Sequence, residues 1–164
     1  MASTIKVNTI QNVGGSAPLI TDLGMKVDWF QTRFTTASYT AAGGTQKYAM
    51  DTFEGTGASF NDSTDTITIA AASVWKINLF LGCASTGNAD GRWQENYIYQ
   101  NSTRVLDTRH FVIDINTDNE YYGINGSKIL TCAAGDTIYV SGNGQLNWSI
   151  DGGSGSNFHA IRLA

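Results

Sequence analysis

The residues able to do acid–base, nucleophilic or metal chemistry are few: two histidines, two cysteines and fourteen carboxylates in 164 residues. His110 and His159 each fall in a run that alternates apolar and polar residues. Neither has a Ser or Cys nucleophile set beside it in an elbow or triad arrangement, so both read as core or interface histidines. Cys83 and Cys132 sit in or beside apolar runs and read as buried free thiols rather than as a disulfide. No Cys-x-x-Cys, His-x-x-x-His or His-Glu-x-x-His spacing is present, and a zinc site is not supported. Asp62 with Asp65, and Asp114 with Asp118 and Glu120, offer the oxygen ligands that calcium takes. The preference of Asp for turns explains them more simply. Paired carboxylates for glycoside cleavage find no cleft in the sequence pattern. No catalytic, cofactor-binding or metal-binding residue is assigned, and a non-enzymatic module is expected.

Aromatic residues carry more information. Trp75 and Trp148 alternate with other apolar residues and read as core. Trp93 and the Tyr121-Tyr122 pair flank polar, Gly- and Asn-containing segments and are the candidate interaction surface, for a subunit contact or a glycan, with core packing the competing reading for each. The net charge is −4, and no cluster or stripe of Lys and Arg runs along the chain, which argues against nucleic acid and other polyanions. No basic stretch followed by an apolar run opens the chain, and no run approaches the roughly 18 apolar residues of a membrane span. Four Asn-x-Ser/Thr sequons, at Asn61, Asn101, Asn125 and Asn147, read as accidents of a Ser/Thr-rich composition.

The elements that must position these residues are strands. Charged residues make up only 15% of the chain, and Ser, Thr, Asn and Gly fill the intervals between apolar runs. That composition suits short strands joined by turns. Turn groups recur at 42–44, 54–57, 61–63, 86–88, 90–91, 116–119, 125–126, 135–136, 142–144 and 151–153. Between them, strands are predicted over 66–69, 75–79, 97–99, 110–113, 137–140, 146–150 and 158–163. Helical periodicity and fixed-period repeats are absent. The fold class is all-β, a sandwich occupying residues 31–164. Residues 1–30 read as a separate arm in which Ile5, Val7 and Ile10 supply the apolar positions, ended by Gly14, Gly15 and Pro18. Such an arm gains stability only against another chain, or else it is a frayed terminus.

Over roughly residues 34–164 the order of motifs resembles the trimeric jelly-roll superfamily of complement globular heads and tumour-necrosis-factor-like domains. The residues that carry the resemblance are Phe60-Asn61-Asp62 with the strand after it, the strand around Trp75, the hairpin at Asn101, Gly135-Asp136-Thr137-Ile138, and the closing strand at Phe158. Ser73, Val74-Trp75 and Ser102 depart from that family's pattern. The resemblance implies a jelly roll that forms a homotrimer. Residues 3–12, Ser-Thr-Ile-Lys-Val-Asn-Thr-Ile-Gln-Asn, resemble the opening of tail-fibre and virion-surface proteins of marine bacteriophages. Together the two imply a virion structural protein, made in the host cytoplasm, attached to other virion proteins through residues 1–30 and acting as a short tail fibre or knob that contacts a host-surface glycan or protein. The alternative is a decoration protein that cements the capsid shell.

Overall fold

The structure is a computed structural model that describes residues 27–41, 44–86, 92–111, 119–145 and 147–164. Ile5, Val7 and Ile10 lie outside the described residues. Among the described residues thirteen strands follow in order: β1 Trp29–Phe34, β2 Ala37–Tyr39, β3 Gln46–Lys47, β4 Met50–Gly55, β5 Ala58–Asn61, β6 Thr66–Ile69 and β7 Ser73–Thr86. Then come β8 Trp93–Gln100, β9 Thr103–Phe111, β10 Asn119–Cys132, β11 Thr137–Gly144, β12 Asn147–Asp151 and β13 Asn157–Arg162. They form two antiparallel sheets facing each other, a sandwich as expected from the strand and turn pattern and a jelly roll as the resemblance implies. Among the described residues no helix is long and apolar enough to cross a membrane.

The long β7 organises the larger sheet. One edge of β7 pairs with β10 along its whole length, and the other pairs first with β13 and then with β12. β1 lies between β13 and β4, and β2 adds to β12. The closing strand is therefore central, as the sequence implies. β1, however, begins at Trp29, inside the region read as an arm. Phe30 on it is fully buried against Trp75 and Phe158, with ring centroids 5.4 and 5.7 Å away. The smaller sheet runs β5-β6-β11-β8-β9, with β3 also pairing to β11.

Alternation along each strand divides the residues between core and exterior. Trp75, Ile77, Leu79 and Leu81 of β7 point inward against Ile98, Ile138 and Val140 of the facing sheet, and burying each is worth roughly 1.5–3 kcal/mol. Trp148 is fully buried. Both thiols are buried and free. Cys83 pairs with Tyr122 while Cys132 pairs with Ser73, so they stand roughly 33 Å apart along one ladder, too far for a bridge. Burial pushes the Cys83 thiol up to about 12 and, with help from the Asp136 charge, the Cys132 thiol up to about 11.

Two turn assignments are corrected. Asn125-Gly126 lies in mid-β10 and Gly142-Asn143-Gly144 ends β11. Their glycines serve close approach of a neighbouring side chain rather than chain reversal. A Cβ on Gly142 would lie 1.8 Å from the Tyr48 hydroxyl, and one on Gly126 would lie 2.8 Å from Leu106 Cδ2. The turn at Gly135-Asp136 holds, because Asp136 accepts hydrogen bonds from Gln100 Nε2, Asn101 Nδ2 and the Ala133 amide. Those bonds, led by Asn101, keep the Asp136 carboxyl below its ordinary range.

Candidate interaction surfaces

Each sheet turns one face to the core and one outward, so the chain has two opposed exteriors with a polar layer between them. That layer begins at Tyr48, which is fully buried among aromatic side chains. Its hydroxyl donates to Asn96 Oδ1 and accepts from Trp148 Nε1 at 3.1 Å. Gln94 Nε2 donates to Asn96 Oδ1 at 3.0 Å, and Tyr122 donates to Gln94 Oε1. Burial drives the Tyr48 hydroxyl well above its ordinary range, so it stays protonated. The layer ties β8 of the smaller sheet to β10 and β12 of the larger one.

The outward face of the larger sheet sets exposed apolar side chains among polar ones. In register across four strands lie Trp29, Ile161, Lys76 and Ile129, then Gln31, His159, Asn78 and Ser127, then Arg33, Asn157, Phe80 and Asn125. Gly82 pairs with Gly123 beyond Phe80, and Tyr121 stands next to Ala84. Ile129 is 60% exposed and Tyr121 is 81% exposed. Three grooves of about 280, 400 and 340 Å³ run along this face, the first two sharing His159 and the first and third sharing Phe80. His159 Nδ1 lies 3.2 Å from Asn157 Oδ1.

The outward face of the smaller sheet is aromatic and cationic. Tyr99 and Tyr139 stack 4.8 Å apart at 3°, and Tyr97 meets Tyr99 edge-on. Lys47 Nζ lies 4.2 Å above the Tyr139 ring, Arg104 lies 4.8 Å above Tyr97, and Arg109 lies 5.0 Å above Trp93. Arg109 donates to Glu95 Oε1 from Nε, at 2.6 Å, and from Nη2, while the Tyr97 hydroxyl donates to Glu95 Oε2. Burial pushes the Glu95 carboxyl up, but the hydrogen bonds from Tyr97 and Arg109 outweigh it and hold it below its usual range. Burial, reinforced by the Glu95 bond, raises the Tyr97 hydroxyl to about 12.

The three residues singled out by the sequence are separated. Trp93 opens β8 on the smaller sheet's exterior, and Tyr121 stands on the larger sheet's exterior. Tyr122, next to Tyr121 on one strand, necessarily takes the other side: its ring stacks on His110 at 3.9 Å and its hydroxyl joins the internal layer. Phe80, Ile129 and Ile161 escaped the sequence reading. The unbroken run Leu79-Phe80-Leu81 carried the signal, since a strand apolar at successive positions is covered on both faces. Among the described residues no group of three or more His, Cys, Asp or Glu is placed to hold a metal ion.

This arrangement has counterparts among solved structures. An Eiger tumour-necrosis-factor protein from S. frugiperda superimposes with a TM-score of 0.64 over 84% of this chain and 93% of its own, at 10% identity. The fold is a tumour-necrosis-factor-like jelly roll. Murine APRIL gives a TM-score of 0.59 over 84% of this chain and 100% of its own, again at 10% identity. No protein-family model matches this chain, and no curated protein matches it. The likeness is one of architecture: at this identity the side chains on both exteriors are the chain's own.

Proposed function

We propose that this chain is a non-enzymatic structural protein of a bacteriophage virion, a homotrimeric knob or short tail fibre that contacts the host surface and is anchored through residues 1–30. The observation that carries self-association is the group of large apolar side chains, Trp29, Phe80, Tyr121, Ile129 and Ile161, that stand exposed on the exterior of the larger sheet. Large apolar side chains gathered on one exterior beside grooves mark a contact surface. Because Tyr121 lies on the outermost strand and the groove lined by Trp29, Gln31, His159 and Ile161 lies on β1 and β13 toward the middle of the sheet, knob and groove are different parts of one surface. A head-to-tail contact that closes into a ring uses both. The virion assignment is supported by the resemblance of residues 3–12. Light scattering on the purified chain tests the assembly, with a trimer mass expected and a monomer mass rejecting it. Cryo-electron microscopy of the particle tests the location: a few trimers at the tail fit a fibre, and many across the shell fit a decoration protein instead.

A further inference from the structure

We propose that the outward face of the smaller sheet binds an anionic polysaccharide, its acid groups meeting Lys47, Arg104 and Arg109 along a row of packed tyrosines. This rests on the host-contact part of the function proposed above and assigns it a surface. In a two-sheet sandwich the two exteriors point in opposite directions, so copies joined through the larger sheet leave the smaller one facing outward.

The cations are gathered by the fold, not by the sequence. Lys47 is on β3, Arg104 and Arg109 are on β9, and β11 and β8 lie between them. At about 4.8 Å per strand, three strand spacings set Lys47 roughly 14 Å from the arginine row across Tyr139, Tyr99 and Tyr97. All three cations sit over ring faces, which restrains them before any ligand arrives. The Arg104 and Arg109 side chains stay 48% and 47% exposed, and Arg104 Nε lies 3.8 Å from Asp107 Oδ2, a long and exposed pair. Glu95 takes Nε and Nη2 of Arg109, leaving Nη1 for an external acceptor. Lys47 donates to the Thr64 carbonyl and Thr66 Oγ1 and has no carboxylate partner among the described residues. Between Lys47 and Tyr97 in register lies Ser141, whose buried hydroxyl has no hydrogen-bond partner.

Guanidinium groups held on rings recognise carboxylate and sulfate oxygens through paired donors. Glu95 and Asp107 alternate with the cations on this face, and the whole chain is acidic at −4. A strand with a phosphate at every unit would meet those carboxylates repeatedly. A sugar chain with sparser charges places its hydroxyls there instead.

The test is calorimetric titration of the full chain, at physiological salt, with a uronate oligosaccharide, a sulfated galactan oligosaccharide, neutral dextran and a single-stranded oligothymidylate. Binding of at least one anionic sugar is expected, with uronate and sulfate arms identifying which acid group is read, and dextran silent. The double variant Lys47→Ala/Arg104→Ala should weaken it by about tenfold or more, and Tyr99→Ala should weaken it with the charges intact. No anionic-sugar binding overturns the proposal, as does binding indifferent to these variants. Tighter oligothymidylate binding that depends on the same residues also overturns it, in favour of nucleic acid. Light scattering on the same samples separates the two readings. A trimer that ignores sugars removes this inference alone, and a monomer that binds them removes only the assembly.

Discussion

The two exteriors of the sandwich solve the same problem in opposite ways. Both carry large rings on alternating strand positions, and both must keep them from indiscriminate contact. On the smaller sheet the rings are occupied within the chain: Tyr139 lies between Lys47 and Tyr99, and Tyr97 lies under Arg104 with its hydroxyl on Glu95. On the larger sheet Phe80 borders open grooves and Tyr121 and Ile129 stand clear of any cover. Rings covered by the chain's own cations and by each other are closed to further aromatic contact, whereas the open rings and aliphatic side chains of the larger sheet are covered by a second molecule.

The sharpest way to break this contrast is to charge the open face. Phe80→Asp combined with Ile129→Asp should weaken self-association about a thousandfold or more, roughly 4 kcal/mol, and sedimentation should report a monomer. An unchanged mass would mean that the larger sheet is not the interface. The layer between the faces comes next: Gly142→Ala drives a methyl into the Tyr48 hydroxyl and should cost about 2–4 kcal/mol in thermal or urea unfolding. Loss of the Tyr99 ring should cost about 1 kcal/mol from the stack on Tyr139 and leave the assembly mass unchanged. A change in mass would show that the two exteriors are coupled.

The smallest effects are those of pH on the face of the smaller sheet. The folded-state pKa of Glu95 is lowered, so its contribution is present above the unfolded carboxyl's range and fades as pH falls through the folded value. Tyr97 is raised to about 12, so its contribution is present below the ordinary tyrosine range and fades as pH climbs toward that value. Unfolding midpoints measured across pH should therefore lose part of their acid slope in Glu95→Gln and part of their alkaline slope in Tyr97→Phe. Variants that retain both slopes would show that these two groups do not set them.

Strand alternation and turn residues made the fold class legible from sequence, and the burial of Trp75 and Trp148 followed from their phase. Glycine misled wherever it served a side chain distant in sequence: nothing local distinguishes Gly142, which makes room for Tyr48, from a glycine that reverses the chain. Tyr121 and Tyr122 read as one exposed pair because their strand could not be phased without its partner β7. The cationic face was invisible for a related reason. Lys47 is separated from Arg104 and Arg109 by more than fifty residues of sequence, and only the register through β11 and β8 brings them to one surface. A linear scan for basic clusters therefore argued against polyanions and left no trace of this face.

The central position of β13 sets a schedule for synthesis. Trp29 on β1 pairs with Ile161 on β13, so β1, which can pair with β4 early, waits for roughly 130 further residues before its second neighbour exists. At about 5–20 residues per second that is roughly 6 to 26 seconds, during which Phe30 has no Phe158 to pack against. Nascent chains stalled before β13 should be the aggregation-prone species, and the yield of folded protein should respond to translation speed and chaperone supply more than to the stability of the finished sandwich.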